Sequence, residues 1–350
     1  AEPEWPKLRI WVRSFDPPAD AINKRSGGWV QTAAPREITS IKKWHLSEGG
    51  LTKDASEIHL DLPLDLQVGT EGADTGYFGR FGGLPPDQRK DDQSSLCFDT
   101  KPLEHDFLIY GSAELELKLE SPDPRRQLCL RLNDVAPDGT SARITWAIRN
   151  LALDDTLDSP EHPFPKGALD IRVQFPTMAY RLKAGHSLRL AVSQSYWPMV
   201  WAPSAIGGIT LLCGNLTLPE PRYEPESLVV SLPKVEDLPS VKSYTVLKEP
   251  RIKRHPAKLK NGEIRSGWHQ PYASVYYIET DTCFGYETRA EFRISPDEPL
   301  TAACSYEHTM TFARPDGTAV VTCKVQLSSD ADAYQVTGIF SASWDDQIVK

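Results

Sequence analysis

The chain has 350 residues, which is enough for a buried core and long enough for two domains. Its apolar fraction of 40% and charged fraction of 25% are ordinary for a globular protein. A net charge of −9 argues against a nucleic acid as the partner, because phosphate binding needs clustered Lys and Arg. No stretch of about 18 apolar residues is present, so no membrane-spanning helix is expected.

The first part of the chain contains one clear strand and one long irregular stretch. Apolar and polar residues alternate over 8–13, with Leu8, Ile10 and Val12 on one face of the predicted strand. Residues 52–96 show no sustained period and are rich in Gly, Pro and Asp. Because loops of this length usually carry a function or pack against another body, we expect one of these roles here.

The strand signals become regular from residue 107 onward. Leu115, Leu117 and Leu119 share one face of a predicted strand over 107–119. The next predicted strands are 127–135, 141–153, 168–175, 187–195 and 208–218. Several short strands with turn-rich loops, and no long amphipathic helix, predict an all-β sandwich rather than alternating strands and helices.

The last third of the chain divides into an arm and a second β segment. Residues 219–272 are rich in Pro and in charge, carry a basic cluster near their end, and predict a connecting arm. A turn sequence at 314–317, Arg-Pro-Asp-Gly, indicates a hairpin. The predicted strands of this segment are 286–294, 303–313, 318–328 and 333–344.

No catalytic residue, metal ligand or cofactor site is predicted in this chain. A serine nucleophile of the α/β-hydrolase type needs the elbow Gly-x-Ser-x-Gly. The partial matches around Ser141 and Ser187 lack the second glycine and enter strands, so we interpret both as turns. The eight His residues show no paired ligand spacing, and the six Cys residues fit no zinc pattern and are interpreted as free thiols.

Four segments carry a family resemblance through their order and spacing. They are 86–103, which joins PDQR to LCFDTKPL; Gly111–Ser121, GSAELELKLES; Leu130–Gly139, LRLNDVAPDG; and Tyr180–Tyr196, YRLKAGHSLRLAVSQSY. Together they resemble the C-terminal domain of the cocaine-esterase-like (CocE/NonD) hydrolases, a family that includes X-prolyl dipeptidyl-peptidases and α-amino-acid ester hydrolases. Where many relatives carry an Asn/Arg-rich loop, this chain departs from the pattern with the sequence WPMVWAP after Tyr196.

The resemblance implies a jelly-roll β-sandwich of the galactose-binding type with an additional C-terminal antiparallel β segment. The implied division is a bridge from a missing α/β-hydrolase domain over 1–44 and a jelly-roll domain over 45–218. The division continues with a connecting arm over 219–272. A C-terminal β extension over 273–350 packs on the jelly roll. The catalytic Ser, Asp and His of the family precede the bridge, so none is carried onto this chain.

Four aromatic residues are the candidate site residues. The resemblance implies that Tyr77 and Phe78 reach the substrate pocket of the hydrolase domain. From the sequence alone, this glycine-flanked aromatic loop is either a core plug, which is the favoured interpretation, or a contact surface. Trp197 and Trp201 are the candidates for an aromatic binding face.

The leading hypothesis is a non-catalytic C-terminal part of a serine acyl hydrolase, an esterase, amidase or dipeptidyl-peptidase. The expected partners are the α/β-hydrolase domain that carries the triad and a small ester, amide or peptide substrate at the shared pocket. No cofactor, nucleic acid or membrane partner is expected. The alternatives are a stand-alone jelly-roll module that binds carbohydrate or protein, and a structural or homo-oligomerising domain.

The absence of a nucleophile elbow predicts that the isolated chain hydrolyses activated short-chain esters no faster than background. Hydrolysis is measured with the purified chain and with its Ser187→Ala and Ser141→Ala variants. A turnover that either substitution abolished would contradict the hypothesis of a non-catalytic part.

Overall fold

The computed structural model describes residues 8–32, 39–70, 84–153, 167–222, 224–227 and 243–349. In these ranges the chain is almost entirely β-strand, with one short helix, α1 (Arg89–Gln93), and no helix long and apolar enough to cross a membrane. The first fifteen strands are β1 (Leu8–Ser14), β2 (Gly27–Thr32), β3 (Thr39–Ser47), β4 (Gly50–Thr52), β5 (Leu60–Leu62), β6 (Leu96–Asp99), β7 (Phe107–Gly111), β8 (Glu114–Glu120), β9 (Gln127–Val135), β10 (Ser141–Asn150), β11 (Ala168–Gln174), β12 (Met178–Leu182), β13 (Ser187–Ser193), β14 (Ile209–Pro221) and β15 (Glu226–Ser227). The last eight are β16 (Tyr244–Lys248), β17 (Lys253–Lys260), β18 (Glu263–Tyr277), β19 (Thr282–Ser295), β20 (Glu298–Arg314), β21 (Gly317–Ser329), β22 (Tyr334–Trp344) and β23 (Gln347–Ile348).

Two antiparallel sheets enclose the main core. One has the order β11-β8-β14-β3-β4, with β5 beside β14, and the other has the order β10-β9-β13-β6. Leu115, Leu117 and Leu119 point inward from β8, as their alternation predicts, and join Leu130 and Leu190 of the opposite sheet in one buried cluster. The structure therefore confirms the predicted all-β sandwich.

A third sheet, in the order β15-β2-β1-β12-β7, lies against this sandwich. Its strand β1 runs antiparallel to β2 and parallel to β12. Val12 of β1 is buried with Val30, Leu108 and Tyr110 in a small core of its own. The alternating face of β1 is thus partly covered by this chain itself, which leaves the opposite face, with Trp11, as the more accessible one.

The C-terminal segment forms an eight-stranded antiparallel sheet. Its order is β16-β18-β19-β20-β21-β22-β23, with β17 also paired to β18. The hairpin predicted at 314–317 is present, because Arg314 pairs with Gly317. Strands β16 and β17 and most of β18 fall within 219–272, where the sequence predicted only an arm, and a register shift between Gln270 and Ala273 interrupts the period of β18. The division into four domains stays a prediction.

Two tryptophans join the sandwich to the C-terminal sheet. Trp197 is fully buried and makes edge-to-face contacts with Trp201 and with Phe292 of β19. Trp201 donates a hydrogen bond from Nε1 to the Ser329 hydroxyl at 2.8 Å and packs on Tyr334. The prediction that these two indoles form a binding face is corrected, because strands of the C-terminal sheet pack on both rings and Trp197 is fully buried.

This packing predicts a large stability loss on truncation of the buried indole. We expect Trp197→Ala to lower the free energy of unfolding by about 3–5 kcal/mol, because it leaves a cavity between two bodies. Urea unfolding followed by circular dichroism measures the change. The matched control is Trp29→Ala, whose indole is 40% exposed in β2 and which we expect to cost no more than about 1 kcal/mol. Equal losses in the two variants would contradict the assigned contact.

Candidate functional site

The candidate site is the face of the sandwich where residues 71–83 connect to it, and the chain just before them is tightly anchored. Val68 accepts hydrogen bonds from the Trp197 N–H at 3.1 Å and the Ser195 hydroxyl at 3.2 Å. Gly69 has a φ of +105°, and a Cβ there would lie 2.2 Å from the Tyr196 carbonyl carbon. Only glycine fits so close to that backbone, and its N–H donates to the Asp91 carboxylate at 3.1 Å.

The chain just after residue 83 is anchored as well. The Leu84 N–H donates to the Asp20 carbonyl at 3.1 Å. Asp87 accepts the Ser141 N–H at 3.2 Å, and the Gln88 N–H donates to the Ser141 carbonyl at 2.9 Å. Tyr77 and Phe78 themselves lie outside the described residues, so their role in a pocket stays a prediction.

A buried charge network holds helix α1 beneath this face. Asp92 is 6% exposed and lies 3.2 Å from a guanidinium nitrogen of Arg131 and 3.0 Å from one of Arg189. Arg189 also makes a two-pronged pair with Asp99 at 2.7 Å, which raises its pKa further above the usual range. Because each charge has partners, the network fixes α1 rather than leaving a reactive group.

Two residues with nucleophilic side chains, Ser141 and Cys97, bond to Asp92 of this network. The Ser141 hydroxyl is fully buried and donates to Asp92 at 2.7 Å. The Cys97 thiol donates to the Asp92 backbone carbonyl at 3.4 Å, and burial is the main cause that raises its pKa to about 12. A thiol with so high a pKa stays protonated near neutral pH and is a poor nucleophile.

A histidine and an aspartate form a buried pair that the sequence analysis did not identify. His186 Nδ1 lies 2.7 Å from Asp134, whose other oxygen accepts the Tyr180 hydroxyl at 2.9 Å. Burial raises the pKa of Asp134, while the hydrogen bonds from His186 and Tyr180 oppose the rise. In the described part of the chain no serine or cysteine hydrogen bonds to this imidazole, and the pair links the start of β13 to β9.

The described ranges contain no group of three His, Cys, Asp or Glu side chains arranged to hold a metal ion. All six cysteines are free thiols. The indole rings of Trp197 and Trp201 lie in the contact between the sandwich and the C-terminal sheet, while the Trp197 backbone anchors Val68. The structure therefore brings together anchored backbone, a buried charge network and the His186–Asp134 pair.

Comparisons with known proteins agree with this picture. Residues 4–224 match the family model described as the X-Pro dipeptidyl-peptidase C-terminal non-catalytic domain. Similar solved structures include an aminopeptidase from the marine sediment archaeon Thaumarchaeota archaeon, at 15% identity and a TM-score of 0.47, covering 58% of this chain and 40% of that one. Another is a CocE/NonD family hydrolase from Staphylococcus aureus, at 13% identity and a TM-score of 0.42, with coverages of 62% and 42%.

A third solved structure is an α-amino acid ester hydrolase, at 18% identity and a TM-score of 0.42, covering 51% of this chain and 36% of that one. The chain thus spans about two fifths of the length of these structures. No curated protein sequence matches it.

The buried network predicts that removal of one partner is costly. We expect Arg131→Met to destabilise the fold by about 3–5 kcal/mol, because it leaves Asp91 and Asp92 buried without this cation. The control is Arg89→Met in the same helix, whose side chain is 56% exposed and pairs with Asp87 at the surface, and which should leave the unfolding midpoint unchanged. Denaturant midpoints of both variants test this; a stable Arg131→Met variant would show that α1 does not depend on the network.

Proposed function

The chain belongs to the family of X-Pro dipeptidyl-peptidase C-terminal non-catalytic domains, and we propose that it packs against the α/β-hydrolase domain of a serine acyl hydrolase and helps to close its acyl pocket. The partner domain would attack an ester or amide carbonyl with a serine activated by His and Asp. This chain would contribute shape and positioning, and no reacting group.

The observation that carries the proposal is the rigid frame on both sides of residues 71–83. A loop that lines a pocket must be held within a fraction of an ångström to influence chemistry. Here Gly69 is locked against Tyr196 and Asp91, and Leu84 and Gln88 are bonded to Asp20 and Ser141. Such anchoring supports a role in which the loop between them presents side chains at a fixed place.

A tryptophan pair on the outer face of β1 and β2 supports contact with a second domain. Trp11 and Trp29 are cross-strand partners whose rings meet edge to face at 5.7 Å. Trp29 also lines a cleft of about 510 Å³ whose walls include Arg181 and Lys183. Exposed tryptophan beside cationic side chains is typical of the centres of protein interfaces, so we place the hydrolase domain on this face.

The alternative of a carbohydrate-binding module depended on open aromatic rings at Trp197 and Trp201. Both are packed against the C-terminal sheet, and no observation in the described part of the chain favours that function over the first.

The test uses the complete protein, with its hydrolase domain, and measures two quantities for each variant. We expect Phe78→Ala to change the ratio of kcat/KM between a short and a long acyl substrate by roughly tenfold, because it removes one wall of the acyl pocket. The unfolding midpoint should change little.

The matched control is Phe98→Ala in β6, whose side chain is 2% exposed in the core. It should lower stability by about 3–5 kcal/mol and leave the acyl preference unchanged. If Phe78→Ala instead behaves as Phe98→Ala does, the loop is a core plug and the pocket role is excluded.

A further inference from the structure

A cleft of about 280 Å³ opens beside Leu84 and Pro85, where β1, β10 and β12 approach one another. Its charged lining among the described residues consists of Arg13, Arg25 and Arg143, with Asp16 as the one acid. This is a local excess of positive charge in a chain whose net charge is −9. Three arginines around so small a space repel one another unless an anion lies between them.

Arg13 is the residue whose environment is least complete. Among the described residues its guanidinium forms no hydrogen bond and no ion pair, and its Nε is buried without a partner. Its guanidinium carbon lies over the ring of Tyr180, 5.9 Å from the ring centroid. Burial is the main cause that lowers the pKa of Arg13, followed by the repulsion of Arg25. A desolvated cation without a counter-ion is unfavourable, so this group is poised for an anion.

Asp16 neutralises only part of the positive charge of the cleft, because its ion-pair partner is Arg25. One carboxylate oxygen accepts the Ser26 N–H at 2.9 Å, and the other lies 3.8 Å from Arg25, outside hydrogen-bonding distance. Asp16 contributes to the field at Arg13 but does not bond to it. Asp16 thus bonds to residues of the loop after β1, and no carboxylate of the described residues bonds to Arg13.

Arg143 is held rigidly on the opposite wall. It donates a hydrogen bond to the Tyr196 hydroxyl, and its guanidinium carbon lies 5.9 Å from the ring centroid of Trp146. No carboxylate pairs with it in the described part of the chain, so its charge also contributes to the cleft. An arginine fixed by aromatic contacts loses little freedom when it binds a ligand.

We propose that this cleft, the three-arginine cleft, binds the carboxylate of a small organic molecule. The planar guanidinium of Arg13 offers paired donors that match a carboxylate, and Arg25 and Arg143 add charge. The rings of Tyr180 and Trp146 and the side chains of Ile144 and Leu84 form apolar walls that suit a compact hydrocarbon body. The small volume restricts the ligand to the size of a short acyl or aryl carboxylate. This inference does not depend on the proposed role of residues 71–83.

The experiment titrates sodium benzoate into the ¹⁵N-labelled 350-residue chain at constant ionic strength and follows the Arg13 Nε–Hε signal. We expect a saturable shift, and a Kd at least roughly tenfold weaker in Arg13→Met, since a charge-assisted hydrogen bond is lost. Binding by the variants is measured on backbone amides of β1 and by calorimetry. Arg25→Met should also weaken binding, whereas Arg125→Met, which removes an exposed arginine paired with Asp123 elsewhere, should not.

The unfolding midpoint gives a second test, because replacing an arginine with a structural role would lower it. Because Arg13 has no partner to lose, Arg13→Met should retain or raise the unfolding midpoint. A lowered midpoint, or benzoate binding equal in the original chain and in Arg13→Met, would overturn the proposal. The titration is repeated with the hydrolase domain present. Retained binding supports a small ligand, and loss of binding assigns the cleft instead to a carboxylate side chain of that domain and overturns the proposal as stated.

Discussion

The buried ion network around Asp92 is the interaction on which the rest of the candidate site depends. It ties helix α1 to β9 and β13 through Arg131 and Arg189, and thereby fixes the chain from Asp87 onward. Buried charges are tolerated only when their partners satisfy them, and the second pair between Arg189 and Asp99 supplies what a single contact would lack. The network thus fixes the position of α1 relative to β9 and β13.

The His186–Asp134 pair and Arg13 differ in the polar partners that the described residues give them. His186, Asp134 and Tyr180 bond to one another and need nothing further. Arg13, a few ångströms away over the ring of Tyr180, has no such partner among the described residues. Because both lie at the junction of β1 with the sandwich, the same region combines a closed structural unit with an open ligand site.

The C-terminal sheet, which lies beyond the residues matched by the family model, covers part of the sandwich surface. Trp197 and Trp201 follow β13 directly, and Trp197 packs with Leu66 as well as with residues of the C-terminal sheet. Phe292, Ser329 and Tyr334 cover them, so two bodies share one apolar seam. The seam accounts for the two tryptophans in the sequence that follows Tyr196.

The sequence by itself determined the class of fold and the absence of a nucleophile elbow. The alternation of Leu115, Leu117 and Leu119 fixes which face of β8 is buried, because side chains on a strand alternate with a period of two. Local pattern and the order of the family segments sufficed for that much. Only the tertiary structure decided that Trp197 is core, that Ser141 serves Asp92, and that Arg13 lacks a counter-ion. Each of these depends on residues distant in the chain meeting at hydrogen-bond range, and the periodicity of a strand carries no information about which distant side chain it will meet.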